Sequence, residues 1–261
     1  MRMKDLPVRR FRARDGAGLA YRETGEGRPL VLLHGFLSTG RVNWVQYGHA
    51  ARLAARGHRV VMPDLRGHGD SARPHDPAAY PPDVLAEDAF ALLDHLGLDE
   101  YDLGGYSLGG RTTVRMLARG ATPGRAVVAG TGLDGVVDAA ERGRGDRFRR
   151  ILTHPGTFER GSPEWKVERF VNAVGGDPVA LLHVLDTVVD TPREALAAVA
   201  TPTLVLTGRD DDVGGSGPEL AAALPCAWYV EVPGDHMSAV AEPRLGEAVA
   251  DFLDAPLGEG P

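Results

Sequence analysis

One serine, a run of aspartates and a late histidine are spaced so that they could carry out nucleophilic chemistry together. Ser107 lies in "GGYSLGG", residues 104–110, where four glycines surround a single hydroxyl. A glycine costs roughly 0.5–1 kcal/mol against alanine inside regular structure, so four of them so close together answer to a steric demand. Gly105-Tyr106-Ser107-Leu108-Gly109 fits G-x-S-x-G, with an apolar strand pattern before it and a helical pattern after it. A tight turn of that kind holds the serine in a strained backbone and points its hydroxyl outward. The positions two before and two after must then be small. The following helix aims its first N–H groups at the same spot, which favours developing negative charge. On the motif alone, a glycine-rich turn with an incidental serine stays open as the other reading.

A serine hydroxyl needs a base, and the base needs an orienting acid. Asp210, Asp211 and Asp212 follow the strand-like run "TPTLVLTG", and His236 follows the strand-like run "AWYVEVPG". Of the nine histidines, His236 alone lies both beyond those acids and at the end of the last strand pattern. The acids alone say little, because acidic residues are common at strand ends. Serine, acid and histidine in that order, each at a strand end, say much more.

These residues need elements to bring them together. Short apolar runs alternate with helical patterns: "PLVLLH", "HRVVMPD", "YDLGGYS" and "GRAVVAG" read as buried strands, and "LPVRRFRA" and "GLAYRE" as edge strands. "NWVQYGHAARLAARG" reads as a helix ending at Gly57, and "DVLAEDAFALLDHLG" as one ending at Gly97 with Leu85, Ala89, Leu92, Leu93 and Leu96 on one stripe. "PRLGEAVADFLD" places Leu245, Ala248, Val249, Phe252 and Leu253 at helical spacing. Strands alternating with helices predict a parallel sheet covered on both faces. From about 133 to 199 the strand pattern lapses, and polar helical segments carry scattered aromatics. The expectation is an α/β core, residues 1–132 and 200–261, interrupted by a helical insertion at 133–199. The tail "APLGEGP" is expected to fray.

Composition bounds the rest. A chain of 261 residues, 43% hydrophobic and 25% charged, suits one globular domain with an insertion. A net charge of −7 argues against nucleic acid or an anionic membrane as partner. Cys226 is the sole cysteine, so no internal disulfide forms. "MRMKDLPVRRF" lacks a long apolar leader segment, and no apolar run reaches the roughly 18 residues of a membrane span. A cytoplasmic protein is expected. No histidine, cysteine and carboxylate grouping has metal-ligand spacing, and neither a P-loop nor a dinucleotide fingerprint is present.

Taken together, "LLHGF", "PDLRGHGDS", "GYSLG", "TGRDDD" and "GDH" resemble the α/β-hydrolase superfamily, in particular its small bacterial esterase-like members, over nearly the whole chain. The resemblance implies a mostly parallel sheet of about eight strands with helices on both faces, and a helical cap at 133–199. It implies Ser107 as nucleophile, His236 as base, and Asp211, fourth in G-x-x-D, as the acid. Some relatives carry the acid one core strand earlier, where Asp134 in "TGLDG" stands. The backbone N–H groups of Phe36 and Leu108 would bind the oxyanion, with His34 and His68 as loop-orienting residues. The activity implied is hydrolysis of a small carboxylic ester or lactone through an acyl-enzyme, with no cofactor. Carbon–carbon bond hydrolases, acyltransferases and cofactor-free perhydrolases use the same serine, whereas an aspartate would stand at position 107 in relatives that open epoxides or remove halide. A non-catalytic ligand-binding module would not need all three residues. Phe36, Trp44, Tyr106, Leu108, Phe148, Phe158, Trp165 and Phe170 are candidates to line an apolar pocket; the cap aromatics equally suit a core of the cap itself.

Overall fold

Each apolar run becomes a strand of one sheet in the computed structural model, which describes residues 6–140 and 145–256. The strands are β1 (Arg9–Arg12), β2 (Gly18–Thr24), β3 (Arg28–Leu33), β4 (His58–Asp64), β5 (Asp102–Tyr106), β6 (Ala126–Ala129), β7 (Thr203–Gly208) and β8 (Ala227–Val232). Their order across the sheet is β1-β2-β4-β3-β5-β6-β7-β8. β1 and β2 pair antiparallel at one edge, and every pairing from β4 to β8 is parallel. The expected mostly parallel eight-stranded sheet is therefore present. From residue 257 onward the expected frayed tail lies outside the described residues, as does the stretch 141–144.

Strand periodicity divides the core between two faces. Val31 and Leu33 pack with Leu103 under α2 (Val84–Leu96) and α3 (Leu108–Ala118). Leu30 and Leu32 point the other way, joining Val60 and Met62 under α1 (His49–Ala55) and α10 (Pro243–Asp254). Each such side chain taken wholly out of water is worth about 1.5–3 kcal/mol. Helix α2 buries Leu85, Ala89, Leu92 and Leu93 and ends at Gly97, whose φ of 59° gives the left-handed stop. The single helix expected over 43–57 is instead two pieces. Residues Arg41–Val45 form one π-helical turn, and Gly48 at φ 82° breaks the chain before α1 begins. Among the described residues, no helix is long and apolar enough to cross a membrane.

Between β6 and β7 run α4 (Asp134–Val137), α5 (Asp146–Thr153), α6 (Pro163–Ala173), α7 (Pro178–Leu185) and α8 (Arg193–Ala197); α9 (Gly217–Ala223) follows β7. The ends of this segment belong to the sheet. Leu133, Val136, Leu196 and Val199 pack with Val114, Val128 and Val205. Its middle has a separate small core, in which Leu152, Val171 and Leu181 surround Leu37.

At the junction of β5 with α3 the chain approaches itself closely on two sides. A methyl group on Gly105 would sit 2.2 Å from the carbonyl carbon of Gly109, and one on Gly109 would sit 2.3 Å from the Leu33 carbonyl oxygen. Gly104 and Gly110 are crowded less severely, by Val127 and by Thr131. Gly18, by contrast, has open space on its Cβ side and no positive φ. Gly105→Ala should therefore lower unfolding free energy by about 1–3 kcal/mol in urea titration. Gly18→Ala should change it by less than about 0.5 kcal/mol. Equal losses would show that the junction is not sterically limited.

Candidate active site

Ser107 is a non-glycine residue at φ 54°, ψ −113°, wedged between the end of β5 and the first turn of α3. Three hydrogen bonds hold it there. Its N–H donates to the Ala129 carbonyl at 2.8 Å, and its carbonyl accepts from the Arg111 N–H and the Thr131 hydroxyl, each at 2.9 Å. An outlying φ of this kind persists only where its surroundings over-determine it.

The serine hydroxyl begins a continuous chain of contacts. Ser107 Oγ lies 2.9 Å from His236 Nε2, and His236 Nδ1 lies 2.9 and 3.0 Å from the two oxygens of Asp211. Asp211 also accepts from the Val213 and Gly214 N–H groups, through Oδ1. Its carboxylate is 1% exposed, and the imidazole of His236 is 13% exposed. Burial alone would raise the Asp211 pKa. The bond from His236, attraction to that ring and the two N–H donors outweigh burial and hold the carboxyl below the usual range. Asp210 and Asp212 are exposed. Asp134 is also exposed; it lies against Gly215 at the start of α4. Of the four aspartates raised by the sequence, Asp211 is the one bonded to the ring.

The His236 loop is tied down on both sides. Asp235 accepts from the N–H groups of Met237 and Ser238 and from the Ser238 hydroxyl. The Tyr106 hydroxyl donates to the His236 carbonyl at 2.7 Å, with the two rings 5.7 Å apart. Gly130 leaves room for that tyrosine: a methyl group there would sit 2.8 Å from the ring. Tyr106, expected to line a pocket, is buried in the core and supports His236 instead.

Opposite His236, the loop 34–37 runs past the serine. Gly35 N–H donates to Asn43 Oδ1 and Leu37 N–H to His68 Nε2. The Phe36 N–H lies between these two anchored groups. Leu108 N–H belongs to the first turn of α3, where no preceding helical carbonyl is available to it. His34 accepts from the Leu65 N–H through Nε2, so its Nδ1 carries the hydrogen and donates to the Gly35 carbonyl. His68 is fixed in the same tautomer, donating from Nδ1 to the Arg66 carbonyl. Arg66, 1% exposed, anchors this second loop by pairing with both oxygens of Asp88 and with Asp15.

A cavity of about 470 Å³ opens over Ser107 and His236. Phe36, Leu108 and Phe148 line it, as do Val167, Val184 and Leu185 from the α6 and α7 segment. Phe36 and Phe148 meet edge to face at 5.3 Å. The other aromatic candidates lie elsewhere. Trp44 is 1% exposed within the core beneath α1 and α10, because its π-helical turn faces the sheet. Phe158 stacks under Arg150 and Trp165 under Arg169, away from the cavity lining. Phe170 packs against the small core around Leu181. Arg111, Arg149 and Asp146 also line the cavity and were not anticipated from sequence. Arg111 could have been found, since it stands four residues, or one helical turn, beyond Ser107. Among the described residues, no cluster of His, Cys, Asp and Glu is arranged to hold a metal ion.

The buried histidines make stability depend on pH. Burial drives His34 down to about 4; burial, then the neighbouring His34, drives His68 down to about 3. Both stay neutral in the folded protein while the unfolded chain takes up protons near 6.5. Their contribution is therefore full above about pH 6.5 and is lost as pH falls toward about 4 and 3, by about 1.4 kcal/mol per pH unit for each ring. Unfolding free energy measured between pH 7 and pH 4.5 should fall, and His68→Gln should flatten that slope whatever its effect on stability at pH 7. An unchanged slope would show that His68 is not buried neutral.

The geometry agrees with what the chain is similar to. A family model described as the alpha/beta hydrolase fold matches residues 28–130. A hydrolase of known crystal structure from Pseudomonas aeruginosa PA01 is 30% identical, covering 95% of this chain and 98% of that one at a TM-score of 0.74. Esterase RhEst1 from Rhodococcus sp. ECU1013 is 28% identical with the same two coverages and a TM-score of 0.72. The AB hydrolase superfamily protein YisY of Bacillus subtilis (strain 168) is 29% identical over 212 residues, 73% of this chain and 77% of that protein. With a solved relative at this identity covered over nearly its whole length, a mostly parallel eight-stranded sheet and a serine at the β5–α3 junction, the chain belongs to the alpha/beta-hydrolase fold family.

Proposed function

We propose that this protein is a serine hydrolase that cleaves a small carboxylic ester or lactone through an acyl-enzyme. The observation that carries the reading is the unbroken contact chain from Ser107 Oγ through His236 to the buried Asp211, at the floor of a cavity with apolar walls on the α6 and α7 side. His236 Nε2 takes the serine proton as Oγ bonds to the substrate carbonyl carbon. The tetrahedral oxyanion lies against the Phe36 and Leu108 N–H groups. As it collapses, the bond to the leaving oxygen breaks, and His236 returns the proton to that oxygen. Water, deprotonated by the same ring, then attacks the acyl carbon; as the bond from that carbon to Oγ breaks, His236 returns the proton to Ser107 and the carboxylic acid leaves. Asp211 fixes the ring with Nδ1–H toward itself and stabilises the imidazolium, which an amide at that position would not do.

The segment carrying Phe148, Val167, Val184 and Leu185 acts as a cap: it supplies the acyl-side wall and keeps bulk water from the oxyanion. The esterase name of the Rhodococcus relative supports the ester class. A single cysteine and the acidic balance of the chain fit work in the cytoplasm on a small molecule.

Two variants and a control test this. Ser107→Ala should lower kcat for p-nitrophenyl esters by about 10⁴–10⁶ while leaving the circular dichroism spectrum unchanged. Asp211→Asn should lower kcat by about 10³–10⁴, and Asp134→Asn by less than about threefold. A Ser107→Ala protein retaining a tenth of the wild-type rate would remove Ser107 from the role. A severe defect confined to Asp134→Asn would move the acid.

A further inference from the structure

We infer that Asn43 is a positioning residue for the reaction: by holding the Gly35 N–H, it keeps the loop 34–37 in the orientation that presents the Phe36 N–H to the oxyanion. The inference rests on the serine-hydrolase reading and deepens it at the same site.

The backbone groups of this loop are accounted for one by one. Gly35 N–H donates to Asn43 Oδ1 at 3.1 Å. The Gly35 carbonyl accepts from His34 Nδ1 at 2.8 Å and from the Ser38 N–H at 3.2 Å. Leu37, held at φ 64°, donates its N–H to His68 Nε2 at 3.3 Å. The Phe36 N–H has no acceptor among the described residues. A trans peptide points its C=O and N–H in opposite directions. With the Gly35 oxygen fixed by two donors, the Phe36 N–H faces the other way. A Cβ on Gly35 would stand 3.5 Å from Ser107 Cβ, so this stretch of backbone runs against the serine. Gly35 is the weak point. Lacking a Cβ, it turns about φ and ψ more freely than its neighbours. A rotated peptide would place a carbonyl oxygen where an oxyanion needs an N–H. His34 grips the peptide after Gly35, and Asn43 grips the one before it.

The surroundings of Asn43 show that its oxygen is needed there. Val42, Asn43, Trp44 and Val45 are all buried in the π-helical turn, and Asn43 is 3% exposed. Trp44 fixes how the turn is rotated by packing under α1 and α10, and the Asn43 N–H is held by the Thr39 carbonyl at 2.9 Å. A buried amide is kept for the bonds that it makes. Asn43 Nδ2 has no acceptor among the described residues, and an unsatisfied buried donor disfavours the fold. An apolar side chain of similar size would avoid that cost. What it could not supply is the oxygen at Gly35. One π-helical turn in an otherwise regular fold is a frequent feature of functional sites; here it aims Asn43 at the loop beside the nucleophile.

The test separates this role from a merely structural one. Asn43→Leu removes the acceptor at similar volume, with Asn43→Ala in its place should it fail to fold. At equal folded concentration, kcat for p-nitrophenyl butyrate should fall by about 10- to 100-fold, while KM changes by less than about threefold. Inhibition by an alkyl trifluoromethyl ketone reads the same contact without turnover: Ser107 Oγ adds to the ketone carbon, its proton passes to His236, and the ketone oxygen becomes an oxyanion. Its Ki should rise by the same factor as kcat falls. Asn43→Asp keeps an oxygen for Gly35 and should recover most of both losses. An unchanged kcat and Ki in folded Asn43→Leu protein, or an aspartate variant no better than the leucine one, would overturn the inference. Exchange of the Gly35 amide hydrogen, followed by NMR, is independent of chemistry and should accelerate by about 10-fold or more in Asn43→Leu. Unchanged exchange would overturn the inference even with ester hydrolysis intact. Accelerated exchange in a protein that hydrolyses no ester would uphold the hold of Asn43 on the loop and sink the hydrolase reading instead.

Discussion

A single close approach governs this molecule: the backbone of β5 meets the backbone of α3 with no room for a side chain between them. Gly105 faces Gly109 at a distance that excludes even a methyl group, and Gly109 in turn lies against the Leu33 carbonyl at the end of β3. With both contacts made, the residue between strand and helix has little freedom left, and Ser107 is held at φ 54°. The strain is local, and its compensation comes from bonds to Ala129, Thr131 and Arg111. Because β3 and β5 are adjacent parallel strands, the same contact brings the loop after β3 over the serine. The proposed nucleophile and the proposed oxyanion loop are therefore positioned by one packing event.

The remaining groups reach the site through layers of support behind them. His236 is set by Tyr106 and Asp235 from its own side and by Asp211 through the ring. The loop 34–37 is set by His34 and His68, whose neutral rings each accept one backbone N–H and donate to one carbonyl. Their burial holds them neutral at physiological pH, so they work as fixed dipoles and not as charges. Arg66, Asp88 and Asp15 hold the next loop in place behind His68. Arg66 and Asp88 are the buried pair of that group; removing Asp88 would leave the Arg66 charge short of its buried partner, which costs more than losing a surface pair would.

Much of this was legible in the sequence. The period of two in "PLVLLH" and "YDLGGYS" gave the strands, and the glycines of "GGYSLGG" gave the turn, because both follow from local geometry. The choice among Asp210, Asp211 and Asp212 was not local: it depends on which carboxylate turns inward to meet a ring 25 residues away. Trp44 misled for a similar reason. Its apolar neighbours suit a pocket wall or a core equally, and the sheet face that buries it is assembled from strands distant in sequence. Gly48 reads in sequence as a helix interior residue, because a glycine's left-handed φ leaves no mark on the apolar pattern around it, yet that φ breaks the element in two. The aromatics of 146–173 could be counted but not oriented. Phe148 reaches the cavity, whereas Phe170 closes a small core and Phe158 and Trp165 stack under arginines.

The central claim is that strain and a neighbouring base make one hydroxyl in this chain a nucleophile. Incubation with a stoichiometric fluorophosphonate, followed by digestion and tandem mass spectrometry, tests it directly. One phosphonyl group per chain is expected, located on Ser107, with labelling slowed severely in protein carrying His236→Ala. Adduct distributed over several serines, or labelling of Ser107 at an equal rate without His236, would contradict it.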